Sequence, residues 1–277
     1  MINRMEVVGD QPGVPSLPLG GFSPNNEPIQ IRGIEGLGPV KAEIASTPFA
    51  TGRGNLYQGA ATGMRNIVLT LGLNPNWTSQ SMTSLRHLLY AYFIPEDWVT
   101  LRFISDELPP VFIRGIIESF EPNIFSQDPE IQISILCPKP DLIDIATTLI
   151  EGNVDGSETT VAYAGTVVGG FQLRIESPGS YSGDLTVKNT VRGEDQIFTI
   201  QSVTVNTSQR VDLNTIRASR YVYNVSTVDE TAIDILAKIV HNSDWPEFSP
   251  GENKLSVTAG SSGLTWALGY FNRYGGL

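Results

Sequence analysis

The sequence offers little for covalent or metal chemistry. It holds two histidines, His87 and His241, and one cysteine, Cys137. A Ser-His-Asp hydrolase needs a histidine beside an exposed nucleophile. Both histidines fall in segments read as helices, and neither is near a Gly-x-Ser-x-Gly elbow. A structural zinc site needs several Cys or His ligands at fixed spacing, and no such cluster can be assembled. The lone cysteine forms no intrachain disulfide and sits in an alternating apolar run, so it reads as a small buried strand residue. Gly52, Gly54 and Gly59 lack the strand-to-helix setting of a nucleotide loop, and no Gly-Lys-Ser/Thr follows them. Glu151, Asn153, Asp155 and Gly156 open like a calcium loop. The twelfth position is Ala162, where a bidentate glutamate is required. Carboxylate pairs such as Glu96/Asp97 and Glu194/Asp195 are abundant, and nothing singles one out as a glycosidase pair. Trp245, Tyr181 and Tyr221 are the aromatic candidates for carbohydrate contact, with core packing the competing fate of each. The residues therefore point to a protein that is not an enzyme and needs no cofactor.

The elements that must position these residues are mostly strands. The 277 residues favour two domains. The formal net charge is −11, which argues against clamping nucleic acid or docking on an anionic membrane. There are 27 glycines and 18 prolines, a turn-rich composition that argues against a helical bundle. No apolar run is long enough for a membrane span, and the N-terminus lacks the apolar core of a signal peptide. Residues 1–28 read as an irregular arm around one short strand. Ile67, Leu69, Leu71 and Leu73 keep one phase, the signature of a half-buried strand. The Gly-rich stretch 47–65 reads either as a loop or as a long projecting hairpin. Met82, Leu85, Leu89 and Tyr92 make one stripe of a helix over 79–94, with His87 off the stripe. Strands are expected at 99–104, 111–120 and 130–137, with Trp98 buried at a strand start. The prolines of 137–141 mark a boundary. Domains are expected at 1–140 and 161–277, joined by a linker at 141–160 that begins with a short helix over 142–150. The second part reads as short strands and turns, hence a sandwich. Thr227 and Glu230 have capping-box spacing, and Ile233, Leu236, Ala237 and Val240 predict a helix after them.

Three segments carry a family resemblance. DWPEFSPGENKLSVTAG (244–260), followed by LTWALGYFNRYGGL, supplies Trp245, Pro250, Gly251, Asn253, Arg273 and Tyr274. GMRNIVLTLGL (63–73) and YSGDLTVKN (181–189) stand upstream in matching order. Together they resemble siphophage-type distal tail proteins. The resemblance implies a mainly β chain. Its N-terminal antiparallel β domain would form a ring and carry one packed helix and a projecting hairpin arm. A galectin-like or carbohydrate-module-like β-sandwich would follow. It further implies a homo-hexamer at the distal end of a phage tail, joining the tail tube protein to the tail hub and passing DNA through its lumen. Receptor-binding or fibre proteins are further partners, and assembly in the host cytoplasm is expected. Arg53, Asn55, Tyr57 and Arg65 are the expected anchors of the arm on a neighbour. An acidic inner wall would repel phosphate and let DNA pass. A carbohydrate-binding module contacting the host surface is the alternative. The resemblance leaves open whether 264–277 stays with the outer domain or returns to the ring domain.

Overall fold

The computed structural model describes residues 2–10, 13–20, 28–76, 78–123, 129–260 and 263–277. The chain divides into two compact units. The first spans Met1–Ile145 and regains Tyr274–Leu277, and the second spans Ala146–Arg273.

Unit 1 begins with β1 (Ile2–Gly9), β2 (Leu17–Gly20), β3 (Ile29–Glu35), β4 (Ala42–Pro48), β5 (Asn55–Thr62) and β6 (Arg65–Leu73). After helix α1 (Met82–Tyr90) come β7 (Trp98–Ser105), β8 (Val111–Pro122), β9 (Glu130–Cys137) and β10 (Leu142–Asp144). The main sheet runs β8-β7-β1-β2-β3-β6-β9, and β9 pairs with β8 again, which closes a seven-stranded barrel. The seam depends on the length of β8. Its first half pairs with β7 and its second half with β9, and a register shift at Ile117/Ser119 re-aims the strand between them.

Period-2 patterning fills the interior. Ile67, Leu69 and Leu71 of β6 and Ile133, Ile135 and Cys137 of β9 are completely buried. Met5 and Val7 are buried as well. The segment expected to be an irregular arm around one short strand thus contains two barrel strands, β1 and β2. The β1 pairing is broken by a register shift between Ile2 and Arg4, so alternation is visible over only a few residues. The helix forms where expected but is shorter. Ser81 caps it by accepting from Ser84 N at 3.1 Å, and Ser84 Oγ accepts from Ser81 N at 3.0 Å. Leu85 and Leu89 are buried, and His87 is exposed. Trp98 is half-buried rather than buried, beneath the Arg114 guanidinium at 4.7 Å.

Unit 2 holds β11 (Thr148–Asn153), β12 (Thr159–Tyr163), β13 (Phe171–Glu176), β14 (Tyr181–Val191), β15 (Glu194–Val205), β16 (Gln209–Asn214), β17 (Tyr221–Ser226), β18 (Ala232–Asp234), β19 (Gly251–Ala259) and β20 (Thr265–Tyr270). One sheet runs β11-β20-β13-β16-β17-β18 and the other β12-β19-β14-β15. Both contribute to one apolar cluster, with Leu173, Val211 and Leu268 from the first sheet and Val187, Phe198 and Val257 from the second.

Three expectations fail in or beside this unit. The helix expected over 142–150 is replaced by β10 and β11. Residues 151–160 are the end of β11, a turn and the start of β12 rather than a free linker. The turn is local, since Asp155 Oδ1 accepts from Ser157 N at 2.8 Å. The helix predicted after Thr227 is also absent. Glu230 turns to Arg210, accepting from Nη2 at 2.6 Å, and Thr227 N donates to Ser208 O. The capping box therefore never closes. Ile233 lies in β18 and is exposed, Leu236–Lys238 make only a 3-10 turn, and His241 lies in the turn that follows.

The C-terminal question has a divided answer. β20 stays in the six-stranded sheet of unit 2, whereas β21 (Arg273–Tyr274) joins β10 in the sheet of unit 1.

Candidate assembly surfaces

The stretch 47–65, with two readings open in the sequence, is largely hairpin. β4 and β5 pair only with each other among the described residues. Their tip is a tight turn in which Phe49 N donates to Gly54 O at 3.3 Å, and Gly54 has φ 105°, which favours glycine. Arg53 sits exposed in that turn. Asn55 Nδ2 donates to Ser46 Oγ at 3.1 Å and ties the strands together beside the tip. Almost every residue of both strands is exposed, including the large apolar side chains Ile44, Leu56 and Tyr57 (63 % exposed). Phe49 and Met64 extend this apolar character beyond the strands. Sequence reading named Arg53, Asn55 and Tyr57 but missed Ile44 and Leu56. Alternation would not have found them, because the hairpin buries neither face.

Arg65 does not belong with the arm anchors. It is the first residue of β6 and only 2 % exposed. Its guanidinium donates to four backbone carbonyls: Nε to Pro140, Nη1 to Gly36 and Gly38, and Nη2 to Gly275. Burial lowers its pKa, and nearby Cys137 and Asp141 oppose that shift. The fork of five donors suits this work, since carbonyls from three separate loops converge on one planar group. Gly36 is required there as well. It has φ 84°, and a Cβ would lie 1.9 Å from Asn66 O. Arg65 is thus an internal clamp, not an intersubunit contact.

The aromatic trio is scattered. Tyr181 is 4 % exposed, and its hydroxyl donates to Asp184 O at 2.6 Å, so it packs in the core. Trp245 packs partly against the same core, with Phe198 at 4.8 Å and the Arg220 guanidinium at 5.2 Å. Beside it Glu247 is buried and held by Arg217 at 2.7 Å and Arg220 at 3.0 Å. Burial pushes the Glu247 carboxyl up, but the two arginines outweigh it and leave it below its usual value. Tyr221 lies elsewhere, half-buried on the outward face of the six-stranded sheet, stacked on Tyr223 at 4.7 Å. The structure therefore does not bring these three together.

No known family profile and no curated protein sequence matches the chain. Solved structures do match. The crystal structure of the Dit protein of phage SPP1, described as a paradigm of the hub adsorption apparatus in phages infecting Gram-positive bacteria, aligns with a TM-score of 0.67 at 14 % identity. The match covers 88 % of this chain and 93 % of that one. The fold is that of a phage distal tail protein. Two structures of the phage P2 baseplate in its activated conformation also align. The one with Ca has a TM-score of 0.45 at 9 % identity, covering 100 % of each chain. The one with Sr has a TM-score of 0.40 at 8 % identity, covering 95 % of this chain and 97 % of that one. At that coverage the Dit match extends over parts of both units.

Proposed function

We propose that this chain is a structural component of a phage tail tip. In this reading it forms a hexameric ring that joins the tail tube to the hub and lets DNA pass through its lumen. The observation that carries the proposal is the match to SPP1 Dit over 88 % of the chain, combined with a hairpin whose large apolar residues stay exposed among the described residues. A two-stranded ribbon is marginal in water by itself. Unpaired strand edges and a cluster of exposed apolar side chains mark a surface made to meet another chain. Six copies related by rotation give every hairpin the same neighbouring surface, and the ring closes without leaving an open end. Arg53, Asn55 and Tyr57 remain the proposed anchors, now joined by Ile44 and Leu56. The net charge of −11 suits a lumen that repels phosphate. The two-sheet unit then corresponds to the outer, galectin-like part of such a ring.

Electron microscopy of the purified chain and of purified tails tests this. Six-fold rings, alone or stacked in pairs, are expected, with the chain labelled at the tail tip. A chain that stays monomeric at high concentration and is absent from the tail tip would refute the proposal.

A further inference from the structure

The hairpin joins the barrel through two short limbs. Residues 36–41 lead from β3 into β4, and Gly63 and Met64 lead from β5 into β6. Among the described residues its strands pair only with each other, so the limbs set the direction in which it leaves. The longer limb, GLGPVK, holds two glycines and has wide backbone freedom unless it is tethered. Two elements tether it. Arg65, the first residue after the shorter limb, donates through Nη1 to Gly36 O and Gly38 O. The segment Tyr274–Leu277 lies against the same limb. Leu277 N donates to Leu37 O at 3.0 Å. A Cβ on Gly276 would stand 2.8 Å from Pro39 N and 2.9 Å from Gly38 C, so backbone meets backbone there. Nη2 of the same guanidinium donates to Gly275 O at 2.6 Å, which ties limb and segment to one planar group. Tyr274 roots the segment in the barrel core. Beside these contacts a hollow of about 270 Å³ is lined by Leu37, Leu277, Ile2, Phe103 and Leu108. Packing around Leu37 is therefore incomplete, and the limb depends on its hydrogen bonds.

We propose that Arg65 and the segment Tyr274–Leu277 form a latch that fixes the direction of the hairpin. Closed, the latch turns the Gly-rich limb into a rigid root. Ile44, Leu56 and Tyr57 are then presented at one angle, and less freedom is lost when they dock. Open, the hairpin keeps its own strand pairing but swings on Gly36 and Gly38. The latch also imposes an order. Gly36, Gly38 and Arg65 precede unit 2 in the chain, whereas Gly275–Leu277 follow it. A growing chain cannot close the latch until all of unit 2 has been made, so an incomplete chain carries an undirected arm. Every contact of the latch is made within one copy, and the inference does not rest on ring formation.

The test places spin labels on the full chain at Arg53→Cys, in the hairpin tip, and at Gln132→Cys, exposed on β9. Cys137 is buried and stays unlabelled. The labelled chain is diluted into excess unlabelled chain, so that pulsed electron resonance reads distances within one copy. One narrow distance distribution is expected. Gly276→Val forces the segment away from Pro39, and Leu277→Pro removes the N–H that reaches Leu37. Each should broaden the distribution at least twofold while the native circular dichroism spectrum is kept. Leu277→Ala retains that N–H and should leave the distribution narrow. Should Gly276→Val unfold unit 1, Leu277→Pro decides alone. A broad distribution in the parent chain overturns the proposal, as does one that stays narrow in the folded latch variants. A chain with the narrow distribution but no rings refutes ring formation and leaves the latch standing.

Discussion

The hairpin β4–β5 and the strands β3 and β6 that flank it are successive stretches of one antiparallel arrangement, yet they meet opposite surroundings. β3 pairs with β6 inside the barrel, and Ile67, Leu69 and Leu71 vanish into its core. Between them in the chain, β4 and β5 pair just as regularly and bury almost nothing. Backbone hydrogen bonds are therefore made equally well in both places. What differs is side-chain burial, worth about 25 cal/mol per Å² of apolar surface removed from water. The barrel gains that contribution from its own strands. The hairpin gains little of it among the described residues, and its Ile44, Leu56 and Tyr57 hold the apolar surface still exposed.

Three experiments press on this contrast. The largest effect is expected at Arg65. Arg65→Ala leaves four carbonyls without their donor and opens a void beside Cys137, so unit 1 should lose roughly 3–5 kcal/mol in urea unfolding. A loss below about 1 kcal/mol would mean that water serves those carbonyls as well as the guanidinium does. The second effect is chemical. Burial raises the Cys137 thiol to about 11, with Arg65 opposing the shift. At pH 8 only about one molecule in a thousand would then be thiolate, against about a quarter for an ordinary thiol. A cysteine placed in the hairpin by Tyr57→Cys should react with a maleimide or aromatic disulfide more than about 100-fold faster. Comparable rates would show that the seam between β8 and β9 opens readily. The smallest effect on stability belongs to the double change Leu56→Ser and Tyr57→Ser. The melting free energy should move by no more than about 0.5 kcal/mol, while six-fold rings are lost. A drop of 2 kcal/mol in the isolated chain would show that the hairpin packs on its own unit after all.

Legibility in the sequence followed how local each cause was. β6 and β9 were readable because each buries one face over seven or more residues, and the helix because its stripe and cap lie within a dozen positions. β1 was hidden by its register shift. The false helix after Thr227 had correct spacing, but Glu230 found a stronger partner in Arg210, twenty residues upstream. Arg65 looked like a surface arginine because its acceptors are spread from Gly36 to Gly275, and only the folded chain brings them to one point. Trp245, Tyr181 and Tyr221 were selectable by type alone, and the packing that separates them comes from strands distant in sequence.

The chain leaves unit 1 through β10 and comes back through β21, and these two strands are hydrogen-bonded neighbours. Adjacent strands lie about 5 Å apart. Everything from Ala146 to Arg273 is therefore an insertion whose two ends join the barrel domain at neighbouring strands. Any module whose own ends lie that close could be exchanged at this socket without disturbing the barrel's register. A lineage built this way can replace the inserted unit while keeping the same barrel.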